Sequence, residues 1–249
     1  MPRDEEADPA EPFPILGDRF SRALVLATEL HARQARKGSR VPDMCHLLAV
    51  TATMVLEGGA DEDTACAALL HDAVDDQGGK LTAEPIEREF GTCVADIVGG
   101  CSETDVTPKP PWMDRKRRYL WHLEHDAHPD VLLVALADKV HNLHAMLADR
   151  RTSGPEVWAR FNAPMEDQLR YYGSLVDVFR RRLPCRRSEE FAESFAHLVR
   201  LEGSPSVGRL ATLDPGTPVA VASHLAGDRQ LSSPSAILRS WTVTHTRDG

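Results

Sequence analysis

Ala67-Ala68-Leu69-Leu70-His71-Asp72-Ala73-Val74-Asp75-Asp76 is the stretch from which the rest of the chain is read. An apolar run delivers a His-Asp pair to the end of an expected helix, and two more carboxylates follow in the next turn or loop. Three carboxylates and an imidazole within six residues are costly to bury unless something positive binds among them. A divalent cation is the simplest candidate, and imidazole plus carboxylate ligands suit Mn, Fe or Zn better than Ca or Mg. A solvated helix end accounts equally well for these ten residues alone, so distant residues decide.

The chain has 249 residues, enough for one large or two small domains. With 42% hydrophobic and 27% charged residues, it can bury a sizeable core. A net charge of −9 argues against nucleic-acid binding by the whole surface, but it allows a local basic pocket. The acidic, Pro-rich beginning lacks a signal-peptide pattern, and residues 1–17 read as a disordered arm. No apolar run is expected to span a membrane. The five cysteines are odd in number and lack Cys-x-x-Cys spacing, which reads as reduced thiols in a cytoplasmic protein. Oligomeric state is not legible.

Apolar residues at threes and fours predict a helix over Phe20, Ala23, Leu24, Ala27 and Leu30, running on to Gly38. Arg33, Arg36, Lys37 and Arg40 cluster there, as a solvated basic face or a phosphate clamp. Pro42 opens a helix from Met44 to Leu56 that carries His46 and is stopped by Gly58-Gly59. Asp61 or Asp63 caps the helix leading to His71. Thr82 is expected to cap a short helix ending at Phe90-Gly91, and Val94, Ile97 and Val98 mark another. Ser102 to Trp112, with three prolines, reads as a functional loop. Arg115-Lys116-Arg117-Arg118 then heads a helix, where the dipole disfavours cations and an anionic ligand would relieve them.

Pro129 starts a helix that is apolar almost all round from Val131 to Ala137 and is therefore central. Asp138 and Asn142 share one face of it with His141. A carboxylate in so apolar a helix needs a partner, and Lys139 is expected to face elsewhere. Helices are also expected from Pro155, over Leu169 to Phe179, and over 184–202. From 203 to 249 the Ser, Pro, Gly and Thr content reads as a flexible tail.

Arg36-Lys37-Gly38, Pro42 with His46, His71-Asp72 with Asp75-Asp76, and Leu136-Ala137-Asp138-Lys139 with Asn142-Leu143 resemble, in that order, the HD-domain metal phosphohydrolases. The likeness is greatest to the hydrolase domain of RelA/SpoT enzymes and to small stand-alone alarmone hydrolases. The resemblance implies an all-α multi-helix bundle over 18–183. It implies Mn2+, or another divalent transition metal, held by His46, His71, Asp72 and Asp138. It implies that Asp75-Asp76 prepares the attacking water and that Arg36, Lys37 and Asn142 touch substrate. Lys139, Arg115 and Lys116 complete the candidate substrate contacts. The small-molecule substrate would be guanosine tetra- or pentaphosphate, losing its 3′-diphosphate as pyrophosphate. No synthetase half is expected, so hydrolysis alone is.

The chain departs from the family in places. Asp75 stands where the family usually has Glu, which shortens reach by about 1.5 Å and shifts the water. Asp43 stands where Tyr usually follows the Pro, His141 stands where an aromatic usually precedes the Asn, and His144 replaces a usual Arg. Asp43 is expected to repel phosphate, so that Asp43→Tyr raises activity. These departures keep two alternatives open: another phosphorylated nucleotide or cofactor as substrate, or a non-catalytic metal- or nucleotide-binding regulator.

Overall fold

The computed structural model describes residues 16–56 and 60–203. The expectations for an N-terminal arm over 1–17, apart from residues 16 and 17, for a stop at Gly58-Gly59, and for a tail over 203–249, apart from Gly203, lie outside those residues. The fold is all-α; among the described residues the only sheet-like pairing is one antiparallel bridge, Ala35 with Pro42.

Helix α1 (Asp18–Leu30) buries Ala23 and Ala27 against α3 (Glu62–Leu70). Glu62 accepts from the Gly17 N–H at 2.6 Å, and Arg19 pairs with Asp63 at 2.6 Å, joining the two helix starts. Asp61 caps α3, accepting from the Thr64 N–H at 2.9 Å. Every residue of α3 from Thr64 to Leu70 is buried, because its small side chains let α1 and α6 (Thr92–Cys101) approach from two sides. Helix α2 (Met44–Val50) runs into a π-helical turn, Thr51–Leu56. After α3 come the single turn α4 (Ala73–Asp76) and α5 (Lys80–Phe90).

Helix α7 (Trp112–His125) precedes α8 (Pro129–Ser153), the axis of the fold. Pro129 occupies the first turn as expected. Helices α2, α3, α6, α9 (Met165–Arg182) and α10 (Arg186–Leu201) all pack on α8. The expectation of no membrane-length apolar run needs correcting. Pro129–Arg160 is long and apolar enough by composition, yet 67% of its apolar window is buried, since this helix is surrounded by other helices. Phe191, Phe195 and Leu198 of α10 join Phe179 of α9 in the same core.

Three local expectations change. Helix α1 ends at Leu30, and residues 31–43 instead fold back through the Ala35–Pro42 bridge. Gly38 turns this loop at φ 71°, where an added Cβ would meet Arg160 Cδ at 2.6 Å. Thr82 does not cap α5, which starts at Lys80; its hydroxyl donates to the Gln77 carbonyl at 2.6 Å. The segment Gly154–Arg160 is a 3-10 helix, and α9 begins after Pro164.

Candidate metal centre and active site

Three elements bring the four expected ligands together. His46 lies on α2, His71 and Asp72 form the junction of α3 and α4, and Asp138 lies on α8. His46 Nε2 is 3.1 Å from Asp138 Oδ1 and 3.6 Å from Asp72 Oδ2. His71 Nε2 is 3.4 Å from Asp72 Oδ2 and 3.8 Å from Asp138 Oδ1. Both imidazole Nε2 atoms are buried without a hydrogen-bond partner. Ligands held about 2.0–2.2 Å from one ion lie roughly 3–3.5 Å from each other. The donor set therefore fits a first-row divalent ion, and the orphaned nitrogens are the groups such an ion would satisfy.

Each imidazole is oriented from behind. His71 Nδ1 lies 2.8 Å from the Ala68 carbonyl, which directs Nε2 into the site. His46 Nδ1 lies 2.7 Å from Nδ1 of His141, one turn beyond Asp138. Burial lowers the His46 pKa to about 4, so the ring is neutral and able to ligate. Burial also lowers that of His141. For His71, burial acts downward but the Asp72 and Asp138 carboxylates outweigh it, raising the pKa to about 9. Burial raises Asp72 to about 7. Burial would raise Asp138 too, but Lys139 and the two imidazoles hold it well below the usual carboxylate range.

Lys139 differs from both expectations made for it. Its Nζ is 2.6 Å from Asp138 Oδ2 and lies 5.3 Å from the Tyr119 ring centre. It is thus the local partner of Asp138, largely enclosed, and not placed as a substrate contact. The charge beside it is balanced by Glu103, which pairs with Lys116 and, at 2.7 Å, with Arg115. Lys116 also stands over the rings of Tyr171 and Trp112. Arg115 and Lys116 are therefore occupied internally, and their apparent conflict with the α7 dipole is relieved by Glu103 rather than by a ligand.

Asp75 has both oxygens engaged: Oδ2 accepts from the Glu103 N–H at 3.0 Å and Oδ1 from the Thr104 N–H at 3.2 Å. It anchors the loop over 102–111 beneath Gly79, whose φ of 62° leaves no room for a side chain against the Asp105 carbonyl. Asp76 is partly exposed and has a carboxylate oxygen within 4.8 Å of ones on Asp72 and Asp43. Its Oδ2 accepts from Gln34 at 2.7 Å, and its Oδ1 accepts from Lys109 at 3.2 Å. Lys109, on the anchored loop, was missed in the sequence because one lysine among prolines carries no signal until the loop is folded.

Arg36 donates from Nη1 to Asp43 at 3.2 Å and from Nη2 to Asn142, whose own amide donates to Asp138. Lys37 points to Asn162 at 3.0 Å, at the exposed edge. His144 faces α10, 3.1 Å from the Ser194 hydroxyl.

Imidazole and carboxylate side chains from α2, the α3–α4 junction and α8 converging on one point are the arrangement of an HD domain. The family model described as HD domain matches residues 23–165, and the chain belongs to that family. The chain is 36% identical over 135 residues to the guanosine-3′,5′-bis(diphosphate) 3′-pyrophosphohydrolase MESH1 of Danio rerio, which covers 53% of this chain and 69% of MESH1. It is 37% identical over 141 residues to a probable GTP pyrophosphokinase of Mycobacterium leprae, over 56% of this chain but 17% of that protein. It is 32% identical over 135 residues to the bifunctional (p)ppGpp synthase/hydrolase SpoT of Escherichia coli, over 51% of this chain and 18% of SpoT. The chain thus spans less than a fifth of these long bacterial relatives. A solved structure described as a metazoan ortholog of SpoT that hydrolyzes ppGpp shares the fold, with a TM-score of 0.59 and 23% identity, covering 77% of this chain and 99% of that one.

Proposed function

We propose that this chain is a divalent-metal-dependent phosphohydrolase that removes the 3′-diphosphate of guanosine tetra- or pentaphosphate. The observation that carries the reading is the convergence of His46, His71, Asp72 and Asp138, with two buried imidazole nitrogens left unsatisfied. The similarity to MESH1, whose name states that activity, supports the choice of substrate. We assign the four residues as ligands of Mn2+, an ion suited to mixed imidazole and carboxylate donors. When bound, the ion supplies Lewis acidity and makes water a nucleophile near neutral pH.

The residues of the chain divide the remaining work. Asp76 accepts the proton of the attacking water, since it is the carboxylate of the pair with an oxygen within 4.8 Å of the Asp72 carboxylate. Asp75 acts indirectly, by fixing the loop that carries Lys109. Lys109, Arg36 and Lys37 offset charge on the phosphoryl oxygens. A bond forms between water oxygen and the phosphorus next to the ribose. The bond from that phosphorus to the 3′-linked oxygen breaks, the 3′ oxygen takes a proton, and pyrophosphate leaves.

Products from a panel of nucleotide phosphates, incubated with the Mn2+-loaded protein, test this. Pyrophosphate release from guanosine tetraphosphate, lost in Asp138→Asn, is expected. Phosphate release from another nucleotide, with none from the tetraphosphate, would reassign the substrate. No release from any member, with the metal bound, would make the chain a binding protein.

A further inference from the structure

Asp43, one of the residues that depart from the family pattern, is not a free charge at the pocket edge. It is 3% exposed, and its Oδ1 accepts from Arg36 Nη1 at 3.2 Å. Arg36 Nη2 donates to Asn142 Oδ1, and Asn142 Nδ2 donates to Asp138 Oδ1. One line of hydrogen bonds therefore runs from Asp43 through Arg36 and Asn142 to the carboxylate on α8. It joins the loop before α2 to the candidate metal centre, across about a hundred residues of sequence: Arg36 and Asn142 are 106 apart. Asp43 itself is held in place by backbone: its N–H donates to the Gln34 carbonyl at 3.0 Å, and its carbonyl accepts from the His46 N–H at 2.8 Å. The groups around its carboxylate are Arg36, His31 Nδ1 at 3.7 Å from Oδ2, and the carboxylates of Asp72 and Asp76, each with an oxygen within 4.8 Å of one on Asp43.

An arginine on a loop that turns through Gly38 would lose considerable rotamer freedom on meeting a ligand. The Arg36 side chain is 26% exposed, and two of its nitrogens are already bound on opposite partners. Its plane is therefore set before any ligand arrives, and one carboxylate already compensates its charge.

We propose that Asp43 is a positioning residue that fixes the plane of the Arg36 guanidinium and offsets its charge, so that the remaining edge of Arg36 engages substrate by directed hydrogen bonds rather than as a free cation. The proposal rests on the reading that this pocket takes a phosphorylated nucleotide. It reverses the sign expected for Asp43→Tyr: restoring the family residue removes the anchor and weakens the site.

The test compares the full chain with Asp43→Ala, Asp43→Asn and Asp43→Tyr, each loaded with Mn2+ for kinetics. Loss of a charge-assisted hydrogen bond corresponds to roughly a ten- to hundredfold change. Asp43→Ala and Asp43→Tyr are expected to raise KM for guanosine tetraphosphate by that factor while kcat stays nearly constant. Asp43→Asn, which keeps an acceptor for Arg36, is expected to recover much of the loss. A second measurement needs no substrate: 15N-edited spectra of the arginine side chains, taken on metal-free protein. Slowed rotation of the Arg36 guanidinium, assigned among the other paired arginines by its disappearance in Arg36→Lys, is expected in the wild-type chain and in Asp43→Asn, and its loss is expected in Asp43→Ala. If the wild-type chain hydrolyses no nucleotide, the functional reading fails, and the spectra alone decide the anchor. Unchanged KM in Asp43→Ala, higher kcat/KM in Asp43→Tyr, or a slowed Arg36 signal that survives in Asp43→Ala overturns the proposal. So does a second equivalent of Mn2+ bound by the wild-type chain and lost in Asp43→Asn, which would give Asp43, Asp72 and Asp76 to a second cation.

Discussion

Replacing His141 with Ala removes the partner of His46 Nδ1, 2.7 Å away. For His46 to ligate through Nε2, its proton must sit on Nδ1, and that proton needs an acceptor. In that tautomer His141 Nδ1 accepts, with its own proton on Nε2. His46 is fully buried, so no solvent replaces the lost partner in an unrelaxed site. A buried donor left unsatisfied costs about 1–3 kcal/mol, which corresponds to roughly a 5- to 150-fold change in an equilibrium constant. Removal of an outer-shell partner of a metal ligand falls in the same range, at about 10–100-fold in affinity. His141→Ala is therefore expected to weaken Mn2+ binding by roughly 10–100-fold, read by calorimetric titration of the metal-free protein. His141→Asn, able to present an amide oxygen, is expected to lose less. His144→Ala is the control, because His144 faces Ser194 on α10 and not the centre. Equal Mn2+ affinity in wild type and His141→Ala would refute the idea that this contact orients His46.

Asp76→Asn is expected to keep bound metal, measured by elemental analysis, while losing most turnover; full activity would remove Asp76 from the proton transfer. Glu103→Gln takes the counter-charge from Lys116 and Arg115 in a largely buried cluster. It is expected to cost about 3 kcal/mol, seen as a midpoint of thermal unfolding lower by roughly 6–12 °C; an unchanged midpoint would show the cluster to be dispensable. Mn2+ at a hundredfold excess over its dissociation constant should stabilise the native state by about 2.7 kcal/mol. Chelation should reverse the gain and Asp138→Asn abolish it, and a metal-independent melting curve would count against the four-residue centre.

Much of this molecule was legible in local pattern. The apolar run through Val131 to Ala137 specifies a helix buried all round, and Asp138 within it demands a partner whatever the fold. The order of His46, His71-Asp72 and Asp138 on helical segments was likewise readable, because helical period and capping are set by neighbours a few residues apart. The structure then brings those segments to one point. Pairing across loops could not be read in this way. Lys139 follows Asp138 by one position, and neighbours on a helix diverge. Its long side chain nevertheless returns to Asp138, beside the Tyr119 ring. Arg115 and Lys116 looked like a ligand site until the loop over 102–111 carried Glu103 between them. Asp43 looked repulsive until residues 31–43 folded back and set Arg36 on its carboxylate. In each case the deciding contact joins groups whose approach depends on where a loop closes. The sequence by itself determined the helices and the identity of the buried donors; tertiary packing alone decided which charges those donors meet, because a charge is compensated by whatever lies near it in space and not in sequence.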